Sequence, residues 1–269
     1  MNFEQIAQTI RNLSDGALTN VSTPIVLGMA VITALLAVLS VISLAVSIIL
    51  AVKYVKYNHR ANSIGLTGEQ AARRVLDQNG LSHIKVSASG SILFGNSYSH
   101  YFRKIRLRRR TWKEASISSL AMAMQKSGLA ILDQQGDPDM RSRVKMTPVI
   151  YLGPLAFIPM ILIGTVLDIF VFTTSFGLWT ITFSIAGLVF YLISFLFSLM
   201  TLKTEMKAQK MALEMMHNQQ MATSEEIGIC KDLFRMYNIE YVNNMIISLL
   251  EMLLRVLQIA AKIQNKAKD

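Results

Sequence analysis

The chain carries IVLGMAVITALLAVLSVISLAVSIILAV at residues 25–52. This run holds 28 residues without a charged side chain, and about 20 apolar residues suffice to cross a bilayer as a helix. A cleaved signal peptide would have a basic leader and a shorter apolar run, whereas Arg11 is the one basic residue that precedes this run. The run therefore predicts an uncleaved transmembrane anchor.

Two further apolar stretches, at residues 147–172 and 178–202, predict a helical hairpin with a tight turn at residues 173–177. The first stretch contains Asp168 and three prolines, which neighbouring helices can accommodate within a membrane. An acid inside a span is a functional candidate, and the alternative is a carboxylate that reaches the interface near the hairpin tip. A fourth candidate, at residues 241–263, combines apolar helical spacing with a polar side. It could cross the bilayer, lie along its surface or cover the soluble domain.

The distribution of charge predicts how these spans are oriented. The hydrophobic fraction is 52% and the charged fraction 16%, against roughly 25% charged residues in soluble domains, so lipid must solvate part of the chain. Residues 53–146 contain 17 Lys and Arg against 6 Asp and Glu, while the whole chain has a net charge of +10. Because Lys and Arg accumulate on the cytoplasmic side, we expect this segment in the cytoplasm and the N-terminus outside a cytoplasmic (inner) membrane. The basic C-terminus argues mildly against a fourth crossing.

The sequence as a whole predicts an α-helical membrane protein with a small cytoplasmic α+β domain, three transmembrane helices and an amphipathic or apolar C-terminal helix. The expected segments are a leader (1–24), a first transmembrane helix (25–52), a basic cytoplasmic α+β domain (53–146), a second transmembrane helix (147–172), a third (178–202), cytoplasmic helices (203–240) and a C-terminal helix (241–263).

Local signals predict the elements of the soluble part. Thr67 with Gln70 three residues later is typical of a capping box, and Gly80 of a helix end, so residues 66–81 are expected to form a helix. Period-two alternation predicts strands, and period-3.6 spacing predicts helices. These patterns give strands at residues 83–88 and 98–108 and helices at residues 114–134, 204–219 and 224–238.

A dense basic run consists of Arg103, Lys104, Arg106, Arg108, Arg109 and Arg110. Ile105 and Leu107 alternate with these bases, which predicts a half-exposed strand that carries positive-inside charge. The functional alternative is a patch that binds anionic lipid or nucleic acid. No aromatic platform is interleaved and no nucleic-acid motif is present, so a membrane surface is the favoured partner and nucleic acid is not expected.

Few residues are available for catalysis. The four histidines are widely spaced and none begins an HExxH sequence, while the single Cys230 cannot form a disulfide within the chain. GxGxxG, GxxxxGK and GxSxG sequences are also absent. The residues alone therefore indicate no familiar catalytic site.

Several segments, in order, resemble the bacterial membrane-bound neutral zinc metallopeptidases. LTGEQAARRVLDQNGL (66–81) is similar to the family's opening segment, and His100-Tyr101 to its His-Tyr pair before a strand. SISSLAMAMQKSGLAILDQQG (116–136) is similar to the helix that carries the family's HExxHAxQ motif. TLKTEMKAQKMAL (201–213) resembles the later segment with a Glu ligand, and SEEI (224–227) and IEYV (239–242) continue the order.

The decisive positions depart from the family pattern. The resemblance places the two His ligands on Gln125 and Leu129, the catalytic Glu on Lys126 and the third ligand on Glu205. It implies a metal-free pseudopeptidase without zinc, and the sequence permits an ion pair between Lys126 and Glu205. Such a protein would act as a scaffold, a regulator or a subunit of a membrane complex. Its expected partners are membrane lipids and other membrane proteins, such as an active family member or a second copy.

Two alternatives stay open at this point. One is a peptidase with a relocated metal site, using Glu205, His100 and His217. The other is a lipid-binding or nucleic-acid-binding module that works through the basic run.

Overall fold

The computed structural model describes residues 2–14, 18–90, 95–171 and 178–266, and the chain is mostly helical with one small sheet. The elements in chain order are α1 (Phe3–Leu13), α2 (Thr23–Asn58), α3 (Gly68–Gln78), β1 (Lys85–Ser89), β2 (Ser97–Ser99), β3 (Lys104–Arg108), α4 (Arg109–Lys113), α5 (Ile117–Gln134), α6 (Pro138–Val166), a π-helical turn (Leu167–Val171), α7 (Leu178–Asn218) and α8 (Ser224–Lys266).

The chain divides into two compact units. The membrane unit comprises Met1–Leu44, Thr147–Ser198 and Val242–Asp269, and the mixed unit comprises Ala45–Met146 and Leu199–Tyr241. The division falls inside α2, α6, α7 and α8, since each of these helices has residues on both sides of it. The same four helices therefore contribute to both units.

Within the described ranges, α2 and α7 are the two helices that are long and apolar enough to cross a membrane. Their most apolar windows are only 6% and 17% buried, respectively. The core helix of a water-soluble protein would bury most of such a window, so these exposed apolar surfaces favour a lipid environment. The expected span at residues 147–172 is represented by a shorter apolar stretch, Pro159–Phe170.

A three-stranded sheet forms one layer of the mixed unit. β3 lies in the centre, parallel to β1 and antiparallel to β2. Ile105 and Leu107 of β3 are fully buried and join a core with Leu76 of α3 and Leu120 of α5. The sheet and the helices α3 and α5 thus bury one continuous apolar core, which holds α5 in place.

In the membrane unit, α8 lies antiparallel to α2. The Ser43 hydroxyl donates a hydrogen bond to the Asn244 side chain (3.1 Å), and the backbone N–H of Ser22 donates to the Gln264 side chain (2.8 Å). Ser22 directly precedes α2, and the two contacts are about 20 residues apart along each segment, so α8 accompanies α2 over most of the length that a bilayer requires.

The structure confirms several local predictions and corrects others. The capping box at Thr67 and Gln70 is present, and Gly80 follows the helix with a φ of +71°. The stretch expected to form one strand at residues 98–108 forms the β2–β3 hairpin instead, because a turn at residues 100–103 interrupts it.

Helix continuity also differs from expectation. The helices expected at residues 178–202 and 204–219 form one helix, α7, and those at 224–238 and 241–263 form another, α8, because no Pro or Gly separates either pair. The leader contains α1, which sequence patterns did not indicate. The expected turn at residues 173–177 lies outside the described residues.

Candidate functional site

Helix α5, to which the resemblance assigns the motif positions, is buried on every side. Ser116 caps its N-terminus by accepting a hydrogen bond from the Ser119 backbone, and all residues from Ile117 to Leu132 are buried. Period-3.6 spacing predicted the helix but not burial on every side, and small and flexible side chains (Ala, Ser, Gly and Met) allow neighbours to pack all around α5. Any charged group on this helix must therefore find a partner inside the protein.

Gly128 sets the distance between α5 and α7. A Cβ atom at this position would lie 2.8 Å from the carbonyl oxygen of Ala208 and 3.3 Å from its Cα. Both neighbouring atoms belong to the backbone, so a larger residue would force the helices apart. This close crossing allows the side chains of Gln125 and Lys126 to meet Glu205, one turn before Ala208.

We expect Gly128→Ala to destabilise the protein by about 1–3 kcal/mol, because overpacking a buried helix crossing forces backbone shifts. Chemical unfolding in detergent, followed by far-UV circular dichroism, would measure the loss. Gly228→Ala is the matched control, since a Cβ there meets no atom within 4 Å. Equal stability of the two variants would show that the crossing tolerates a Cβ.

Glu205 is held by three side chains. Its Oε2 accepts hydrogen bonds from Gln125 Nε2 (2.9 Å) and Lys126 Nζ (3.0 Å), and its Oε1 accepts one from Arg143 Nη2 (2.8 Å). A second guanidinium nitrogen of Arg143 donates to the Thr204 hydroxyl (2.7 Å). We call Gln125, Lys126, Arg143 and Glu205 the Glu205 cluster.

Within the Glu205 cluster, Lys126, Arg143 and Glu205 form an ion triad in which two cations share one carboxylate. The side chains of Lys126 and Glu205 are only 11% and 17% exposed, so solvent screens them little. Burial opposes ionisation of Glu205, but Lys126 and Arg143 outweigh it and hold the pKa of this carboxyl below its usual range. Glu205 is therefore ionised near neutral pH, and the triad carries a net charge of about +1.

The donors of the Glu205 cluster do not fit zinc. Zinc is bound in proteins by Cys, His and carboxylate side chains, usually with three or four protein ligands. Here Glu205 is the one carboxylate, and both of its oxygens already accept hydrogen bonds from cations. Leu129 packs with Leu132 and Ala208 and offers no lone pair. A zinc ion at this place would have to displace both cations from Glu205.

His100 belongs to a different cluster. Its Nδ1 lies 2.7 Å from Asp133 Oδ2, which also accepts a hydrogen bond from the Tyr98 hydroxyl (2.5 Å). Burial and the Asp133 carboxylate raise the pKa of Tyr98. Tyr101 OH donates to the carbonyl oxygen of Val144 instead. His100 therefore forms a hydrogen-bonded corner with Tyr98 and Asp133 between the β2–β3 hairpin and α5, whereas Tyr101 contacts α6.

The relocated set of Glu205, His100 and His217 is not assembled. His217 lies 12 residues after Glu205 on α7, which corresponds to roughly 18 Å along a helix axis, and His100 pairs with Asp133. In residues 2–14, 18–90, 95–171 and 178–266, no group of three or more His, Cys, Asp or Glu side chains could hold a metal ion.

The basic run extends over a turn, a central strand and a short helix. Arg103 occupies the turn with a φ of +44°, and Arg109 and Arg110 open α4. Along β3, the exposed Arg106 and Arg108 alternate with the buried Ile105 and Leu107, as expected, and Lys104 is partly exposed. The guanidinium of Arg106 lies 5.7 Å from the centre of the exposed Phe102 ring. The run thus presents a positive face beside an aromatic side chain, which sequence reasoning missed.

Asp168 is engaged by the start of α7. Its carboxylate accepts hydrogen bonds from the backbone N–H groups of Trp179 (3.1 Å) and Thr180 (2.8 Å) and from the Thr180 hydroxyl (2.7 Å). These are the contacts of a helix cap, which satisfies amide groups that have no partner within the helix. Gly164 allows the approach, because a Cβ there would lie 2.6 Å from the Trp179 carbonyl oxygen. This geometry gives Asp168 a structural role.

Comparison with known proteins identifies the family. Residues 32–261 match the family model described as "Putative neutral zinc metallopeptidase". The chain belongs to this family. It is also 30% identical over 203 residues to a Bacillus subtilis (strain 168) protein named "Putative membrane protease YugP", covering 74% of the present chain and 83% of that protein. No solved structure matches the chain. Membership of the neutral zinc metallopeptidase family confirms the resemblance on which the site positions were assigned.

Proposed function

We propose that this chain is a catalytically inactive, metal-free member of its family that acts by binding other proteins in the membrane. It serves as a scaffold, a regulator of an active relative or a subunit of a membrane complex, and a second copy is another possible partner. The observation that carries the proposal is the pair of cations, Lys126 and Arg143, on the carboxylate of Glu205.

The chemistry of a zinc peptidase explains why this observation matters. Such an enzyme needs about three ligands on zinc and a carboxylate base for the metal-bound water. The resemblance places the base at Lys126, an ammonium that cannot accept a proton in that role, and places the two His ligands at Gln125 and Leu129. At the position of the third ligand the chain retains a glutamate, Glu205, but the cations of the Glu205 cluster neutralise its charge.

The rival function is a membrane metallopeptidase with a metal site elsewhere. The description of the family and the name of the Bacillus relative favour it. Hydrolysis of a casein or peptide substrate by the purified chain separates the two functions. We expect no hydrolysis that a chelator abolishes, whereas chelator-sensitive hydrolysis that zinc restores would establish the rival.

We further propose that the chain is a multi-pass protein of the cytoplasmic membrane with the mixed unit in the cytoplasm. The charge of residues 53–146 supports this orientation. Residues 147–172 would form a third span between α2 and α7. The contacts of α8 with α2 at Asn244 and Gln264 support a fourth span, because α8 accompanies a helix that crosses the bilayer. These contacts outweigh the mild contrary signal of the basic C-terminus.

Cysteine labelling tests this arrangement in a Cys230→Ala background. Burial and the nearby Glu226 carboxylate raise the pKa of the Cys230 thiol to about 12, so this thiol is inert in the folded chain. We expect Asn96→Cys to react only after permeabilisation and Ser175→Cys to react in intact cells. A C-terminal reporter should be active outside. The reverse labelling pattern would overturn the orientation, and a reporter active only in the cytoplasm would refute the fourth span.

A further inference from the structure

Two neighbouring aromatic side chains are exposed at the turn of the β2–β3 hairpin, residues 100–103, which we call the hairpin tip. Tyr101 is 64% exposed and Phe102 is 71% exposed. Single exposed apolar side chains are common on protein surfaces, but adjacent ones at the end of a hairpin form a candidate contact surface. Neither the Glu205 cluster nor the proposed function uses them.

Cations surround the exposed ring of Phe102. Arg103 and Lys104 directly follow it in the chain, and the guanidinium of Arg106 lies 5.7 Å from the centre of the ring. Arg103 and Arg106 are themselves exposed. An anionic lipid surface attracts this combination, because an aromatic ring can enter the interface while the neighbouring cations meet the head groups.

Negative charge around the hairpin tip is small. Residues 78–113 contain no Asp or Glu, so the chain on either side of the tip contributes no acid. The carboxylate of Asp133, which His100 contacts, is only 4% exposed and also accepts a hydrogen bond from Tyr98. The exposed surface of the tip is therefore positive.

A contact with α6 indicates where the hairpin tip lies along that helix. The Tyr101 hydroxyl donates a hydrogen bond to the carbonyl oxygen of Val144 (3.3 Å), and both residues belong to the mixed unit. Val144 comes three residues before the apolar stretch that begins at Thr147, which corresponds to roughly 5 Å along a helix. The tip thus contacts α6 where a basic flank gives way to apolar residues, and lipid head groups occupy this level beside a span.

From these observations we infer that the hairpin tip anchors the mixed unit to the surface of an anionic membrane. Phe102 enters the interface of the bilayer, and Arg103, Lys104 and Arg106 contact the phosphates of anionic phospholipids. Each cation close to such a surface strengthens the attraction. The inference rests on the proposed span at residues 147–172 and does not depend on whether the chain is a peptidase.

A spin label at position 102 tests the depth of the hairpin tip. Phe102→Cys in the Cys230→Ala background would carry the nitroxide, with the full-length chain in nanodiscs that contain phosphatidylglycerol. Electron paramagnetic resonance would measure collisions of the label with a water-soluble nickel complex. We expect a collision rate roughly fivefold lower than at Ala88→Cys. This control position is exposed and lies on β1 opposite Leu107, away from the hairpin tip.

Neutral variants test the contribution of charge. Arg103→Gln/Lys104→Gln should raise the nickel collision rate at position 102 about threefold in phosphatidylglycerol, because two cations no longer attract the anionic surface. Lys231→Gln/Arg235→Gln is the matched control, since it removes two exposed cations of the mixed unit outside the hairpin and should leave the rate unchanged. Nanodiscs of phosphatidylcholine alone should move the label toward water as Arg103→Gln/Lys104→Gln does.

Equal nickel collision rates at positions 102 and 88 would overturn the anchor. Equal rates in phosphatidylglycerol and phosphatidylcholine, or equal effects of the two double variants, would also overturn it. Duplex DNA that shields the label in phosphatidylcholine nanodiscs as well as phosphatidylglycerol does would assign the surface to nucleic acid instead. Reaction of Ser175→Cys in intact cells tests the span separately, so a failed anchor can be distinguished from a failed span.

Discussion

Glu205→Gln should destabilise the mixed unit by about 3 kcal/mol, because it removes the negative charge that Lys126 and Arg143 share in a poorly solvated place. Urea or SDS unfolding in mild detergent would measure the loss. Glu214→Gln on the same helix is the control. Its carboxylate is 59% exposed and lies 3.9 Å from Lys210, so its removal should cost less than about 0.5 kcal/mol.

The pH dependence of this effect follows from the lowered pKa of Glu205. A depressed carboxyl pKa contributes stability that is fully present above the unfolded-state value of about 4.3 and is lost as the pH falls through the folded-state value. The difference in unfolding free energy between the unaltered chain and Glu205→Gln should therefore be largest near neutral pH and should shrink below about pH 4. A difference that stays constant down to pH 3 would contradict the ion triad.

Replacing the whole triad should lower the free energy of unfolding less than removing its anion alone does. Lys126→Met, Arg143→Met and Glu205→Met together remove all three charges of the triad, and apolar replacements of buried ion networks are often neutral or stabilising. We expect the triple variant to be more stable than Glu205→Gln alone. If it were much less stable, the triad would contribute net stability beyond the mutual neutralisation of its charges.

The second large effect concerns metal affinity. Gln125→His, Lys126→Glu and Leu129→His together recreate an HExxH sequence on α5, with Ser127 and Gly128 already in the intervening positions. Residues 125 and 129 lie one turn apart on one helix face, and Glu205 contacts the 125 position across the helix crossing. We expect the triple variant to bind zinc at least about 100-fold more tightly than the unaltered chain, since it regains two His ligands.

Arg143 provides an internal check on this prediction. Its guanidinium contacts Glu205 Oε1 and would compete with a metal for that oxygen. Adding Arg143→Gln to the Gln125→His/Lys126→Glu/Leu129→His variant should therefore tighten zinc binding further. The control is the variant with Ala at positions 125, 126 and 129, which removes the same side chains and supplies no ligand. Zinc binding by this control as tight as by the His variant would place the metal elsewhere.

Local sequence signals predicted parts of the fold well, for identifiable reasons. The capping box at Thr67 depends on residues three apart, and the strand alternation around Ile105 depends on a period of two, so both can be read from neighbouring residues. The full burial of α5 could not be read in this way, because Ser118, Ser127 and Lys126 are polar and are buried only by elements distant in sequence.

The composition of the Glu205 cluster could likewise be predicted only in part from the sequence. Sequence comparison brought Gln125, Lys126 and Glu205 together and allowed a Lys126–Glu205 pair, which the structure contains. From the sequence, Arg143 was only one of the basic residues that predict a cytoplasmic location for residues 53–146. Nothing near it in the chain indicates that it contacts an acid 62 residues later. Its contact depends on α6 and α7 lying side by side, which is a tertiary feature.

The zinc content of the unaltered chain tests the central claim most directly. The full-length protein, purified from its native membrane without chelator and exchanged into metal-free buffer, would be measured by elemental analysis against its protein concentration. Two cations hold the Glu205 carboxylate, and Gln125 and Leu129 replace the two His ligands. We therefore predict zinc well below one atom per chain. One tightly held zinc per chain, together with peptidase activity that Glu205→Gln abolishes, would contradict the account.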